Sequence, residues 1–260
     1  MKRKLLCGLL AAASLTCSSF AYRENVPLQV DGTRIANGYI QQGSTYVPLR
    51  SLLDAMGNWD IRWDGSKKEA VASTPSRTLT ANPAQSTLTV NNEAYSANVT
   101  LQNGTTYVPL RLTTELLGAQ VAWDPYLDGA AVTTAESPHN AVDLYWLSHI
   151  IYAESGAESM EGQIAVGNVV LNRVADRDFP STIPTVVFDR KNGVQFEPVS
   201  NGTIYKTPSA ASVEAARRAL DGERPVGKAL YFYAPLLSPG TWIAANRTYL
   251  TTIGCHRFYL

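Results

Sequence analysis

"QQGSTYVPLRSLLDAMGNWDIRWD", Gln41 to Asp64, returns further along the chain as "LQNGTTYVPLRLTTELLGAQVAWD", Leu101 to Asp124. Tyr46-Val47-Pro48-Leu49-Arg50 recurs as Tyr107-Val108-Pro109-Leu110-Arg111, and Trp63-Asp64 as Trp123-Asp124 with one residue dropped between. A repeat of this length is one packing unit used twice. Each copy reads alike. A Gly-Ser-Thr or Gly-Thr-Thr turn leads into a Tyr-Val strand. Proline fits the first turn of a helix, where its missing N–H costs nothing. About two helical turns end near Gly57 or Gly118. A strand follows with Ile61 and Trp63, or Val121 and Trp123, on one face. Between the copies, Leu79 to Val99 alternates weakly and suits strands and hairpins.

Working outward, "TTAESPHNA" (Thr133 to Ala141) has no periodicity and carries Pro138, so it reads as a linker. The fold class is α+β. A small sheet-plus-helix domain with the repeat spans 22–134, a linker 135–141, and a second domain, which opens on a strongly helical stretch, 142–260. The first of these resembles the copper amine oxidase N-terminal, or stalk, domain. That name implies no copper here: the region holds no histidine and no cysteine. Tyr46, Trp63, Tyr107 and Trp123 read first as repeated core aromatics. A sugar-stacking surface is the other reading.

The chain opens with Lys2, Arg3 and Lys4, a short apolar run from Leu5 to Leu15, and Ser19-Phe20-Ala21. That is the pattern of a secretory signal with cleavage after Ala21. The run falls short of the roughly 20 apolar residues that span a bilayer. Removing it takes the formal balance from 22 − 22 = 0 to 19 − 22 = −3. A mildly acidic exported chain lacks the basic stripe that nucleic acid requires. Cys7 and Cys17 lie in the signal, which leaves Cys255 without an intrachain partner. It reads as a small buried hydrophobe in a final strand.

"HIIYAESGAESMEGQIAVGNVVLNRV" (His149 to Val174) is apolar and helix-prone yet holds Glu154, Glu158 and Glu161. Leu144, Leu147 and Ile151 form a stripe, and Glu154 continues it. A carboxylate on a buried face is costly unless neutral or paired. Gly156-Ala157 ends the helix, so its dipole also opposes ionisation of Glu154. Those conditions suit a general acid. Ser159 is a good N-cap for a second helix through Val174. Glu161 then lies in its first turn, where the dipole favours negative charge. It suits a cap or an orienting partner. Glu158 lies in the connection, free to meet a backbone amide or a side chain. On spacing alone, three solvated helix-end charges stand as an equal reading.

The same stretch resembles the SleB-type cell wall hydrolases, the spore cortex-lytic family, through Ala153, Glu154, Glu158, Glu161, Gly162, Gln163 and Leu171-Asn172-Arg173-Val174. "FPSTIPTVVF", "QFEPVSNGTI", "ALYFYAP" and "IGCHRFYL" follow in the family's order. Ser155-Gly156-Ala157 and Glu197 depart from its pattern, and its peptidoglycan-binding module is absent. The resemblance implies a mainly helical, lysozyme-like domain with a small sheet over 142–260, acting on peptidoglycan glycan strands. It implies cleavage of the β-1,4 bond between N-acetylmuramic acid and N-acetylglucosamine, with Glu154 catalytic. Lytic transglycosylation, leaving 1,6-anhydro ends, is the expected outcome. A muramidase-type hydrolase with a second carboxylate is an alternative, and so is a non-catalytic wall-binding protein. Glu158, Glu161, Gln195, Phe196, Tyr231, Tyr233, Trp242 and His256 are candidates for the groove or its support. Phe196 and Tyr231 read equally as core, and His256 as a satisfied strand histidine. Trp242, after Pro239-Gly240-Thr241, reads as an exposed indole in a turn. No cofactor is expected: His139, His149 and His256 have no zinc-ligand spacing, which counts against an amidase. The location implied is secreted, in the cell wall or periplasmic space.

Overall fold

The computed structural model of the chain describes residues 22–191 and 193–260. The secretory signal read over residues 1–21, with Cys7 and Cys17, lies outside the described residues. The first half runs β1 (Arg23–Val30), β2 (Thr33–Gln41), β3 (Ser44–Pro48), α1 (Leu49–Met56), β4 (Asp60–Asp64) and β5 (Glu69–Ser73). β6 (Thr78–Asn82), β7 (Thr87–Val90) and β8 (Glu93–Ser96) follow as a meander. The second copy of the repeat then gives β9 (Thr100–Gln102), β10 (Thr105–Pro109), α2 (Leu110–Leu116), β11 (Gln120–Asp124) and β12 (Gly129–Thr133). Both helices start directly after the proline, which takes the N-cap and not the first turn. The hairpins entering β3 and β10 turn on Gln42-Gly43 and Asn103-Gly104, each pair at positive φ. Two successive left-handed residues make the tight hairpin turn that matches strand twist.

Two sheets result. One has the order β11-β12-β1-β2-β3-β10-β9, the other β4-β5-β6-β7-β8. β3 and β10 pair antiparallel with Val47 opposite Val108, Tyr46 opposite Pro109, and Pro48 opposite Tyr107. Each residue faces the repeat counterpart of its own neighbourhood, so a local two-fold relates the copies. Leu49, Leu52, Leu53, Leu79, Leu88 and Leu110 anchor one apolar core. Ile61 and Val121 pack against that core, but Trp63 and Trp123 do not. Each tryptophan is 45% exposed, which overturns the reading of these two as core aromatics. Their strand face runs past the edge of the core. Tyr46 is buried and Tyr107 half-buried.

The second half contains α3 (Ala141–Ser155), α4 (Met160–Ala175), α5 (Ile183–Val187), α6 (Glu197–Asn201) and α7 (Ala210–Leu220). It ends with β13 (Tyr231–Tyr233), α8 (Thr241–Asn246), β14 (Tyr249–Ile253) and β15 (His256–Tyr259), the strands ordered β13-β15-β14. The α+β class expected from the sequence is the one observed, with the sheet-rich half preceding the helical one. α3 shows no single apolar stripe: every residue from Leu144 to Ile151 is buried. α4 and α7 pack on it, and Gly167 of α4 leaves room for the Ile151 side chain.

A polar joint connects the halves. The indole N–H of Trp146, fully buried on α3, donates to Asp124 Oδ2 at 2.7 Å. Asp124 Oδ1 accepts from the amides of Tyr126 and Leu127, closing the turn after β11. Tyr126 stacks on Phe188 with centroids 4.3 Å apart. Thr133 Oγ1 accepts from the Ala141 amide, which ties the residues between the halves at both ends.

Candidate active site

Glu154 stands in the last turn of α3 and lines a cleft of about 630 Å³ with Glu158, Ala234, Leu236, Leu237 and His256. Leu236 and Leu237 are almost wholly exposed, an apolar lip beside the carboxyl. Burial is the main influence on Glu154, the negative charge of Glu197 adds to it, and Arg173 opposes both. The balance pushes its carboxyl up to about 7. Burial and a like charge each disfavour the ionised form. A carboxyl in that range can hold a proton near neutral pH and release it.

Arg173 belongs to the motif quoted above, but its part in the site was not read from the sequence. It is buried on α4, and its Nε donates to the Leu230 carbonyl at 2.8 Å. Its guanidinium lies over the rings of Phe179, Phe196 and Tyr231, 5.0 to 5.5 Å from their centroids. Burial brings it down to about 10, so it stays charged at neutral pH. Its Nη1 is buried without a hydrogen-bond partner. An arginine in a helix rich in buried valines was the available signal, since a buried cation needs a partner.

Glu158 lies in the α3–α4 connection. Its Oε2 accepts from the Cys255 amide at 3.2 Å, and its Oε1 is 3.8 Å from His256 Nδ1. That second distance is too long for a hydrogen bond. Gly254, at φ +56°, admits this approach, because a Cβ there would collide with the Glu158 carboxylate. Burial lowers the His256 imidazole and Glu158 partly offsets it. Gln163 holds the connection from behind: its Nε2 donates to the Glu158 carbonyl and its Oε1 accepts from Ser212. Cys255 is exposed in the turn between β14 and β15, which corrects its reading as a buried strand residue. The chain reverses at Gly254-Cys255, leaving the thiol outside the sheet and at the cleft.

The other candidates scatter. Glu161 is exposed in the first turn of α4, capped by Ser159, whose hydroxyl accepts from the Gly162 amide. Gln195 is half-buried and its Nε2 donates to the Gly193 carbonyl at 3.3 Å. Phe196 is core. Tyr231 and Trp242 meet edge to face at 6.2 Å, with Arg247 over both rings. Trp242 is 56% exposed as expected, but on a helix and not in a turn. Tyr233 accepts from the Tyr259 hydroxyl at 3.4 Å. Of the predicted residues, Glu154, Glu158 and His256 share the cleft, while Phe196 and Tyr231 reach it through Arg173. Among the described residues no group of three His, Cys, Asp or Glu could hold a metal ion. No helix there is long and apolar enough to cross a membrane.

Residues 157–259 match the family described as Cell Wall Hydrolase, and residues 29–128 the one described as Copper amine oxidase N-terminal domain. The cell wall hydrolase CwlJ of Oceanobacillus iheyensis is 32% identical over 103 residues, covering 37% of this chain and 72% of that protein. The chain belongs to the cell wall hydrolase family. A spore cortex-lytic enzyme of Bacillus cereus is 34% identical over 126 residues, covering 48% of this chain and 47% of that protein. The chain thus spans about half the length of the curated relatives it matches first. The catalytic domain of the germination-specific lytic transglycosylase SleB from Bacillus anthracis is similar at 33% identity. It covers 48% of this chain and 100% of that one, with a TM-score of 0.44. In this family member a stalk-type domain precedes the hydrolase domain.

Proposed function

We propose that this chain is an exported enzyme that cleaves peptidoglycan glycan strands between N-acetylmuramic acid and N-acetylglucosamine, with Glu154 as its general acid. The observation that carries the reading is a carboxyl pushed up to about 7 in an open cleft of about 630 Å³. The family match begins at residue 157, so Glu154 rests on its own surroundings. Glu158 and His256 would shape the cleft wall, and Arg173 would oppose the upward shift of the Glu154 carboxyl. Gln195, Phe196, Tyr231, Tyr233, Trp242 and Glu161 are support or outer groove. Residues 142–260 form the catalytic unit, 22–134 the stalk, and the site of action is the cell wall or periplasmic space.

Glu154 protonates the glycosidic oxygen and the C1–O bond breaks. Its carboxylate then takes the proton of the muramic acid C6 hydroxyl, whose oxygen bonds to C1. Acid and base are one group and no water is consumed. The product is a 1,6-anhydro end, one water lighter than a reducing end. One observation favours a second route. Glu197 acts on Glu154 electrostatically, and a paired carboxylate can activate water. Mass spectrometry of muropeptides released by the wild type separates the two: anhydro ends support transglycosylation, and reducing ends give Glu197 the role of base. Zymography of Glu154→Gln tests the enzyme reading itself, since an active variant would leave a wall-binding protein or another acid.

A further inference from the structure

The repeat builds two matching clefts. The first, about 440 Å³, is lined by Pro48, Arg50 and Trp63 of one copy with Thr105 and Thr106 of the other. The second, about 350 Å³, is lined by Pro109, Arg111 and Trp123 with Ser44 and Thr45. Every one of these residues is the repeat counterpart of one in the other cleft. The exchange of turns follows from the antiparallel pairing of Val47 with Val108, which brings each copy's Gly-Ser/Thr-Thr turn to the other's helix. Both indoles are 45% exposed and neither joins the core. Each is nonetheless braced. Arg50 donates to the Ile61 carbonyl at 2.9 Å, fixing the start of α1 to the strand that carries Trp63. Arg23, held by Asp128 at 2.9 Å, lies over the Trp123 ring, and it does not line the cleft.

We propose that the two clefts are glycan-binding subsites, each seating an N-acetylhexosamine unit of a β-1,4-linked strand on its tryptophan. This rests on the reading of the chain as acting on peptidoglycan. The chemistry of the clefts selects the ligand. An indole is flat and apolar on its face, which matches the C–H face of a pyranose. Arginine N–H groups and threonine hydroxyls around it match ring hydroxyls and acetamido oxygens. Each volume lies in the usual range for a small-ligand site. A polymer of one repeating unit is also the ligand that two copies of one cleft can grip together. Two linked contacts then retain the chain far better than either alone, by about 10²–10⁴-fold in favourable geometry.

The test uses the full chain carrying Glu154→Gln, so that nothing is cleaved, with N-acetylglucosamine tetramer as probe in calorimetry and insoluble sacculi in sedimentation. The parent should bind about three tetramers, one of them in the catalytic cleft, and the count should fall by one with Trp63→Ala and again with Trp123→Ala. Retention on sacculi should drop at least about 100-fold with either substitution, as two-point attachment by the stalk becomes one-point. Trp63→Phe and Trp123→Phe, which keep a ring, should restore part of it, and far-UV circular dichroism at the assay temperature should show every variant folded. Two sites falling to none would support the clefts and mean that the catalytic cleft does not take a strand without muramic acid. One site, indifferent to both tryptophans, overturns the proposal. So does self-association that the double variant abolishes while the tetramer gives no heat at either cleft.

Discussion

Asp64 in the stalk and Glu154 in the hydrolase domain are carboxylates at the end of a secondary element, and they meet opposite conditions. Asp64 ends β4, where its Oδ1 accepts from the Ser66 hydroxyl and from the amides of Ser66 and Lys67. Those donors hold its carboxyl below the usual range. Glu154, in the last turn of α3, is half-buried and feels the charge of Glu197, and its carboxyl rises. Asp64 closes a turn, as Asp176 and Asp189 do in the hydrolase domain, whereas Glu154 faces a cleft. Where donors are matched, a carboxylate serves the fold; where they are withheld, it is available for proton transfer.

The largest expected effect breaks that contrast at its chemical end. Glu154→Gln should lower the rate on peptidoglycan by about 10³-fold, in the range for a lost general acid. Turbidity loss of purified sacculi measures it. Asp64→Asn, measured alongside, should leave the rate within about twofold, as expected of a surface change remote from the cleft.

The pH profile sharpens it next. The acid must be protonated, so activity should fall about tenfold per pH unit once pH exceeds about 7. Glu197→Gln removes a charge that raises Glu154, so the alkaline limb should move to lower pH. Arg173→Met removes a charge that lowers it, so the limb should move higher. Limbs that stay in place in both variants would mean another group controls the profile.

Stability should carry the same signature. The folded carboxyl of Glu154 lies above its unfolded value, so the folded state is favoured by protonation. Its contribution is fully present below the unfolded value of about 4.5 and is lost as pH rises through about 7. Glu154→Gln should therefore gain stability over the wild type across that window, by on the order of 3 kcal/mol at most. Urea denaturation at pH 5 and pH 8 reads the difference.

The smallest effects compare the two turns of the stalk itself. Asp64 and Asp124 are repeat counterparts, and each accepts from two backbone amides. Only Asp124 also takes the buried Trp146 N–H. Asp124→Ala should cost about 1–3 kcal/mol by orphaning that donor. Asp64→Ala, at an exposed turn, should cost about 0.5–1 kcal/mol, comparable to a lost turn or cap bond. Thermal melts of the two variants measure the gap.

Local signals explain what was legible. The repeat, the proline-started helices, the Ser159 cap and the end of α3 near Gly156 are all set within a few residues of themselves. Glu154 stood out because it interrupts an apolar run. What was hidden depends on partners far along the chain. Trp63 and Trp123 obey strand alternation, yet their exposure is decided by where the core stops. Cys255 has the company of strand residues, but Gly254 turns the chain under it. Arg173 could not be tied to Glu154 from spacing, because three aromatic rings from separate segments hold it there.

The place of β1 sets an order of assembly. Its one edge meets β2, its immediate neighbour in sequence, and can pair as soon as both are made. Its other edge lies parallel to β12, with Leu28 opposite Ala130, about a hundred residues later. Until Gly129–Thr133 arrives, that edge offers open backbone groups to any other strand. Such distant pairing is slow to form, since a long loop must close before any contact repays it. The strand that closes the edge also leads, through Thr133, into Ala141 and the first helix of the hydrolase domain. Completing the sheet and positioning α3 are thus one late step, and a chain cut off before residue 133 would carry a sticky edge.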